Sequence, residues 1–157
     1  MILGLAVGLS LGGAAQAADV PTRIAPDNAA IATSVSVPPG GRLVYISGTV
    51  PDPVEAAAPE GSPQRFGDTE TQTRSVLKKV EAALAAQGLA NGDVVMMRVF
   101  LVAPAGQPRM DFAGMMRAYK ERFGTAAQPN KPARSTMQVA GLVDPGWLVE
   151  IEVTAAR

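Results

Sequence analysis

The chain has 157 residues, 14 basic and 14 acidic side chains for a formal net charge of +0, and neither Cys nor His. The lack of thiols rules out disulfides, thiolate catalysis and Cys-based metal sites, and the lack of imidazole removes the commonest general base and metal ligand, so His-type serine triads, Cys–His dyads and most zinc hydrolase designs are excluded. Balanced charge without long runs of one sign disfavours nucleic acid or an anionic membrane as a partner. The length fits one domain, and a hydrophobic fraction of 47%, much of it alanine, supplies a core.

Residues 1–17 are apolar and small, and end in Ala15-Gln16-Ala17 before Ala18-Asp19. This A-x-A pattern after an apolar run predicts a secretory signal, a single domain over 18–157 and a periplasmic or secreted location. No Lys or Arg precedes Arg23, so the basic start of such a signal is missing, and an alanine-rich tail is the alternative. The run is too short and too rich in glycine to span a membrane. Residues 31–37 form a β-prone run that stops at Pro38-Pro39-Gly40-Gly41, a turn cluster. Residues 42–50 then read as a strand with Leu43, Tyr45 and Ser47 on one face and Val44, Ile46 and Gly48 on the other. These two runs predict a hairpin, and Gly48 marks a turn or a close approach of the backbone. Residues 51–67 carry Pro51, Pro53, Pro59, Pro63, Gly61 and Gly67, which predict a long surface loop without regular structure, either mobile or lying over a pocket.

Residues 68–87 give the clearest helix. Thr69 with Gln72 fits a capping box, Thr73, Val76, Leu77, Val80 and Leu84 form an apolar stripe, and Gly88 stops the helix. Arg74, Lys78, Lys79 and Glu81 read as a solvated face. Residues 94–102 are apolar at nearly every position, as in a central strand covered on both faces, with Arg98 expected in a structural ion pair. Residues 110–123 predict a second amphipathic helix capped by Asp111. Its stripe of Phe112, Met115, Met116, Tyr119 and Phe123 reads as core. The order strand, strand, helix, strand, helix, strand, strand implies an α+β layer with two helices on one face of a mixed sheet.

The last two β-prone runs, 132–140 and 147–155, hold the candidate chemistry. Arg134 places a permanently charged fork of donors at the start of the first, a geometry suited to a carboxylate. Glu150 and Glu152 alternate in the second, and a Glu near the Arg can move a proton or orient a water if the fold brings them together. The bland alternatives are a surface Arg after proline and the polar face of an edge strand.

Pro132-Ala133-Arg134-Ser135 followed by Val149-Glu150-Ile151-Glu152-Val153 resembles the C-terminal signature of the RidA/YjgF family. Leu43-Val44-Tyr45-Ile46-Ser47-Gly48, Gln72-Thr73-Arg74, Asp93-Val94-Val95 with Val99-Phe100-Leu101, Asp111-Phe112, and Tyr119 with Phe123-Gly124 follow the family in order. The resemblance implies a chorismate-mutase-like fold, a homotrimer with clefts between subunits, and hydrolysis of reactive 2-imino or enamine acids to 2-oxo acids and ammonia without metal or organic cofactor. Arg134 would clamp the substrate carboxylate, Glu150 would orient or activate water, the backbones of Gly48 and Thr136 would contact the ligand, and Glu152 would be structural. The family often has a Tyr before the glycine turn, where residues 31–37 offer only small, hydroxyl and aliphatic side chains. The apolar β positions Val44, Val99, Met137, Val139, Val149, Ile151 and Val153 exceed what two helices are expected to bury, which also points to a second subunit. A non-catalytic periplasmic binder of small carboxylates and a chaperone-like trimer are the alternatives.

Overall fold

The computed structural model describes residues 20–157. The predicted signal and its cleavage point therefore lie outside the described residues. A small ribbon comes first, β1 (Thr22–Ile24) against β2 (Ser34–Ser36). The main sheet has four strands, β3 (Leu43–Thr49), β4 (Val94–Leu101), β5 (Ala133–Gln138) and β6 (Val149–Ala156), in the order β3-β6-β4-β5. β6 is antiparallel to both β3 and β4, and β4 is parallel to β5, so the sheet is mixed.

Helix α2 (Thr69–Ala86) and helix α3 (Phe112–Lys120) cover one face, giving the expected α+β architecture. The two helices do so because their stripes match the sheet's alternation. Val76, Leu77, Val80 and Leu84 of α2 and Met115 and Tyr119 of α3 meet Met97, Val99 and Leu101 of β4 and Val149, Ile151 and Val153 of β6 in one buried cluster. Residues between those positions, Arg98 on β4 and Glu150, Glu152 and Thr154 on β6, stand on the opposite face. Among the described residues nothing covers that face, so β4 is buried on one side rather than two. It also corrects the expected surplus of apolar positions: Val99, Val149, Ile151 and Val153 are already buried by the helices, and the open face presents Leu43, Tyr45 and Met137 instead.

Several local expectations change. Residues 31–37 and 42–50 do not form a hairpin, because β2 pairs with β1 while β3 pairs with β6 at the far end of the chain, Leu43 opposite Ala156. The loop 51–67 holds a one-turn helix, α1 (Pro63–Phe66), and is tied down: the Val54 and Glu55 amides donate to Arg65 O, and Arg65 Nη1 donates to Ala56 O and Ala58 O. Phe66 is buried edge-on against Trp147.

The N-cap of α2 is Asp68, whose carboxylate accepts from Thr71 N at 2.8 Å. Gln72 is freed from the expected capping box and turns inward, fully buried. Its Nε2 donates to Gly67 O and Gly146 O, and its Oε1 accepts from Leu148 N. Gly88, at φ 72°, ends the helix in the left-handed conformation that favours glycine. The charged face of α2 is solvated as expected, and it also clips elements together. Arg74 bridges Glu70 and Glu121, Glu70 also pairs with Arg117 of α3, Lys79 pairs with Asp52, and Glu81 with Arg122.

Candidate functional site

β5 is short and lies at the sheet's edge, where it starts against the N-terminal segment: Ala32 N donates to Pro132 O at 2.9 Å, and Ala32 bridges Ala133. Pairing of Arg134 with Met97 and of Thr136 with Val99 sets both side chains on the helix face, and Ser135 and Met137 on the open face. Above Arg134 stands the flank of α3, positioned by Asp111, whose carboxylate accepts from Gly114 N at 2.8 Å as the helix cap.

Arg134 is held there by aromatic and sulfur contacts. Its Cζ lies 4.3 Å from the Tyr119 ring centroid and 5.9 Å from that of Phe112, and Nη2 is 3.1 Å from Met116 Sδ. No carboxylate pairs with it among the described residues, although Arg74, Arg98, Arg117, Arg122 and Arg157 all have one. Burial lowers the Arg134 pKa from its ordinary value, but a guanidinium keeps its charge. Among the described residues Nη1 of Arg134 and Oγ1 of Thr136 are both buried and without a hydrogen-bond partner. A buried donor with no acceptor is costly, and for a charged group the cost is larger. The arrangement is therefore a desolvated cationic fork with one unused arm, on the same strand face as an unused hydroxyl two residues along, which suits an anion able to accept hydrogen bonds.

Glu150 belongs to a different place. It is on the open face of β6, opposite Phe100 of β4, and its carboxylate lies against the backbone of Gly48. The pairing of β3 with β6 is irregular between Ile46 and Thr49, and a Cβ at Gly48 would overlap Glu150 Oε1. The glycine is thus a close approach, one of the two readings the sequence offered. Arg98 and Glu152, directly opposite each other on the same face, form the expected ion pair at 2.5 Å. Both are partly exposed, so the pair adds on the order of 1 kcal/mol or less.

Within one chain the structure joins Arg134 to Thr136 and Gly48 to Glu150, but it does not join the two sets. β4 runs between them, and they project from opposite faces of the sheet. The residues that hold Arg134 were read from sequence as core. Phe112, Met116 and Tyr119 do share one helix face, but only Tyr119 is buried, and Phe112 is 43% exposed. Their spacing was visible in the sequence; that the stripe would bed a cation was not. Among the described residues no cluster of three or more His, Cys, Asp or Glu side chains is placed to hold a metal ion, and no helix is long and apolar enough to cross a membrane.

The model of the family described as Endoribonuclease L-PSP matches residues 24–157. A RutC family protein of Haemophilus influenzae is 34% identical over 130 residues, covering 82% of this chain and 90% of that protein. The 2-iminobutanoate/2-iminopropanoate deaminase of Salmonella typhimurium is 36% identical over 118 residues, covering 74% and 81%. Among solved structures, Escherichia coli TdcF with bound serine matches with a TM-score of 0.56 and 30% identity, over 87% of this chain and 98% of that one. With the fold, the matched span and these relatives in agreement, the chain belongs to the Endoribonuclease L-PSP family, the RidA/YjgF family its C-terminal signature resembles.

Proposed function

We propose that this protein hydrolyses reactive 2-imino and enamine acids to 2-oxo acids and ammonia without a cofactor. The observation that carries the reading is the desolvated Arg134, unpaired among the described residues, with its free Nη1 and the unpartnered Thr136 Oγ1 on the same strand face. Every 2-imino acid carries a carboxylate, and that group supplies an acceptor of the kind Arg134 Nη1 lacks. The names of relatives at about a third identity, a 2-iminobutanoate/2-iminopropanoate deaminase among them, support the same chemistry.

In this reading Arg134 orients the substrate by its carboxylate, and the backbones of Thr136 and Gly48 contact the ligand. Glu150 accepts a proton from the water that attacks the imine carbon. The C–N double bond becomes a carbinolamine; proton return to nitrogen and collapse of the carbinolamine release ammonia and leave the 2-oxo acid. The reaction consumes one water and needs no electron acceptor. Its main physical requirement is positioning.

Because Arg134 and Glu150 are on opposite faces of one sheet, the complete site is proposed to form between chains of a homotrimer, Arg134 from one and Glu150 with Gly48 from the next. Leu43, Tyr45 and Met137, exposed on the uncovered sheet face, support such an assembly. Mixing two inactive variants tests it. Arg134→Ala and Glu150→Gln, unfolded and refolded together, should regain roughly a quarter of wild-type turnover, since random mixing leaves that share of inter-chain sites intact. No recovery from mixed trimers would contradict a shared site. Export of the protein, suggested by residues 1–17, is a separate proposal that cell fractionation tests.

A further inference from the structure

We propose that Tyr119 is a positioning residue whose ring holds the Arg134 guanidinium in its ligand-ready orientation before any ligand arrives. This rests on the reading of Arg134 as the carboxylate clamp. The chain's ion-paired arginines are oriented by carboxylates, which also occupy their donors and offset their charge. Arg134 is oriented by a π-face 4.3 Å away, and that contact leaves Nη1 free. An aromatic platform attracts the cation through its quadrupole without supplying the acceptor atoms that would compete with a carboxylate ligand.

The platform itself is rigid. Tyr119 is 1% exposed, its ring stacks on Phe123 at 4.9 Å with 14° between planes, and its hydroxyl donates to Ala30 O at 3.1 Å. Burial pushes the Tyr119 phenol up to about 12, so it stays neutral and offers a ring rather than an anion. Met116 Sδ and the Phe112 ring close in around the guanidinium, at 3.1 Å from Nη2 and 5.9 Å from Cζ. A long side chain fixed in this way has lost most of its rotamer freedom before binding, so less is lost when the ligand arrives.

The test replaces Tyr119 by Phe and then by phenylalanines of increasing ring fluorination, which keep the shape and drain the quadrupole. Tyr119→Phe is the parent of the series, since it already lacks the hydroxyl. Two readouts are taken on the full assembly: the Kd for 2-oxobutanoate, and the NMR signals of the Arg134 guanidinium without ligand. From Phe to pentafluoro-Phe the Kd should rise about three- to tenfold, and kcat/KM on 2-iminobutanoate should fall by at least the same factor. The ring-current shift and slow Cζ–Nε rotation of Arg134 should fade along the same series. If Arg134→Ala abolishes binding while the fluorinated series stays flat in Kd, the positioning role is overturned and the clamp survives. If wild-type protein binds no 2-oxo acid, the clamp reading falls and the positioning role falls with it.

Discussion

Gly48→Ala separates what Gly48 does for the fold from what it does for Glu150. The backbone there is not in the left-handed region, so alanine is tolerated conformationally. The added Cβ would overlap Glu150 Oε1 and approach Cδ to 2.9 Å, both in the terminal part of a flexible side chain. Glu150 can swing away at a rotamer cost of about 0.5–1.5 kcal/mol. For a chain of this size that corresponds to a fall of roughly 2–6 °C in Tm. The carboxylate, however, is displaced by an ångström or more, and a displacement of that size costs on the order of 10²-fold in a reaction limited by positioning. Thermal melts and 2-iminopropanoate turnover on one preparation should therefore diverge, with stability nearly kept and kcat lost. Turnover within twofold of wild type would refute the placement of Glu150 as the group that handles water. A collapse of Tm would show that Gly48 is needed for the fold.

Gln72→Leu should cost about 3 kcal/mol or more, because it strips partners from Gly67 O, Gly146 O and Leu148 N inside the core; equilibrium urea unfolding measures this, and faster proteolysis within 51–67 and 141–147 should accompany it. At Asp68 the Thr71 amide holds the carboxyl below its ordinary value of 3.8. That stabilisation is present above the unfolded pKa and is lost as pH falls through the lower folded one, so the margin of wild type over Asp68→Asn should be constant near neutrality and shrink below about pH 3.8 in a Tm-against-pH series. Tyr45→Glu puts a charge at a 73% exposed position of the open face; it should leave the chain folded by circular dichroism but prevent the proposed trimer from forming in sedimentation, and a mass equal to that of wild type would contradict assembly through this face.

The layers of this fold were legible because burial follows period. Val76, Leu77, Val80 and Leu84 repeat at helical spacing, and Val149, Ile151 and Val153 alternate, so the helix face of each element could be read directly. Strand partnership was not legible, since it is fixed by contacts across the whole chain: the Pro38-Pro39-Gly40-Gly41 turn suggested that neighbours pair, yet β3 finds β6. The Thr69/Gln72 pattern was a true capping-box spacing overtaken by Asp68, an equally good cap one residue earlier, which released Gln72 to lock the core. Arg134 and Glu150 were visible as candidates. Alternation says that Arg134 shares a face with Thr136 and Glu150 with Glu152, but only the register across β4 shows that those faces are opposite.

Ammonia release from freshly generated 2-iminopropanoate, measured for wild type, Arg134→Lys and Arg134→Ala with the mass of each assembly checked, tests the carboxylate clamp most directly. Wild type should turn over. Arg134→Lys, which keeps charge but loses the two-armed fork, should lose most of kcat/KM, and Arg134→Ala nearly all of it, in assemblies of unchanged mass. Full turnover in both variants would remove Arg134 from the site, and no turnover by well-assembled wild type would show that this member of the family keeps the fold without the hydrolysis.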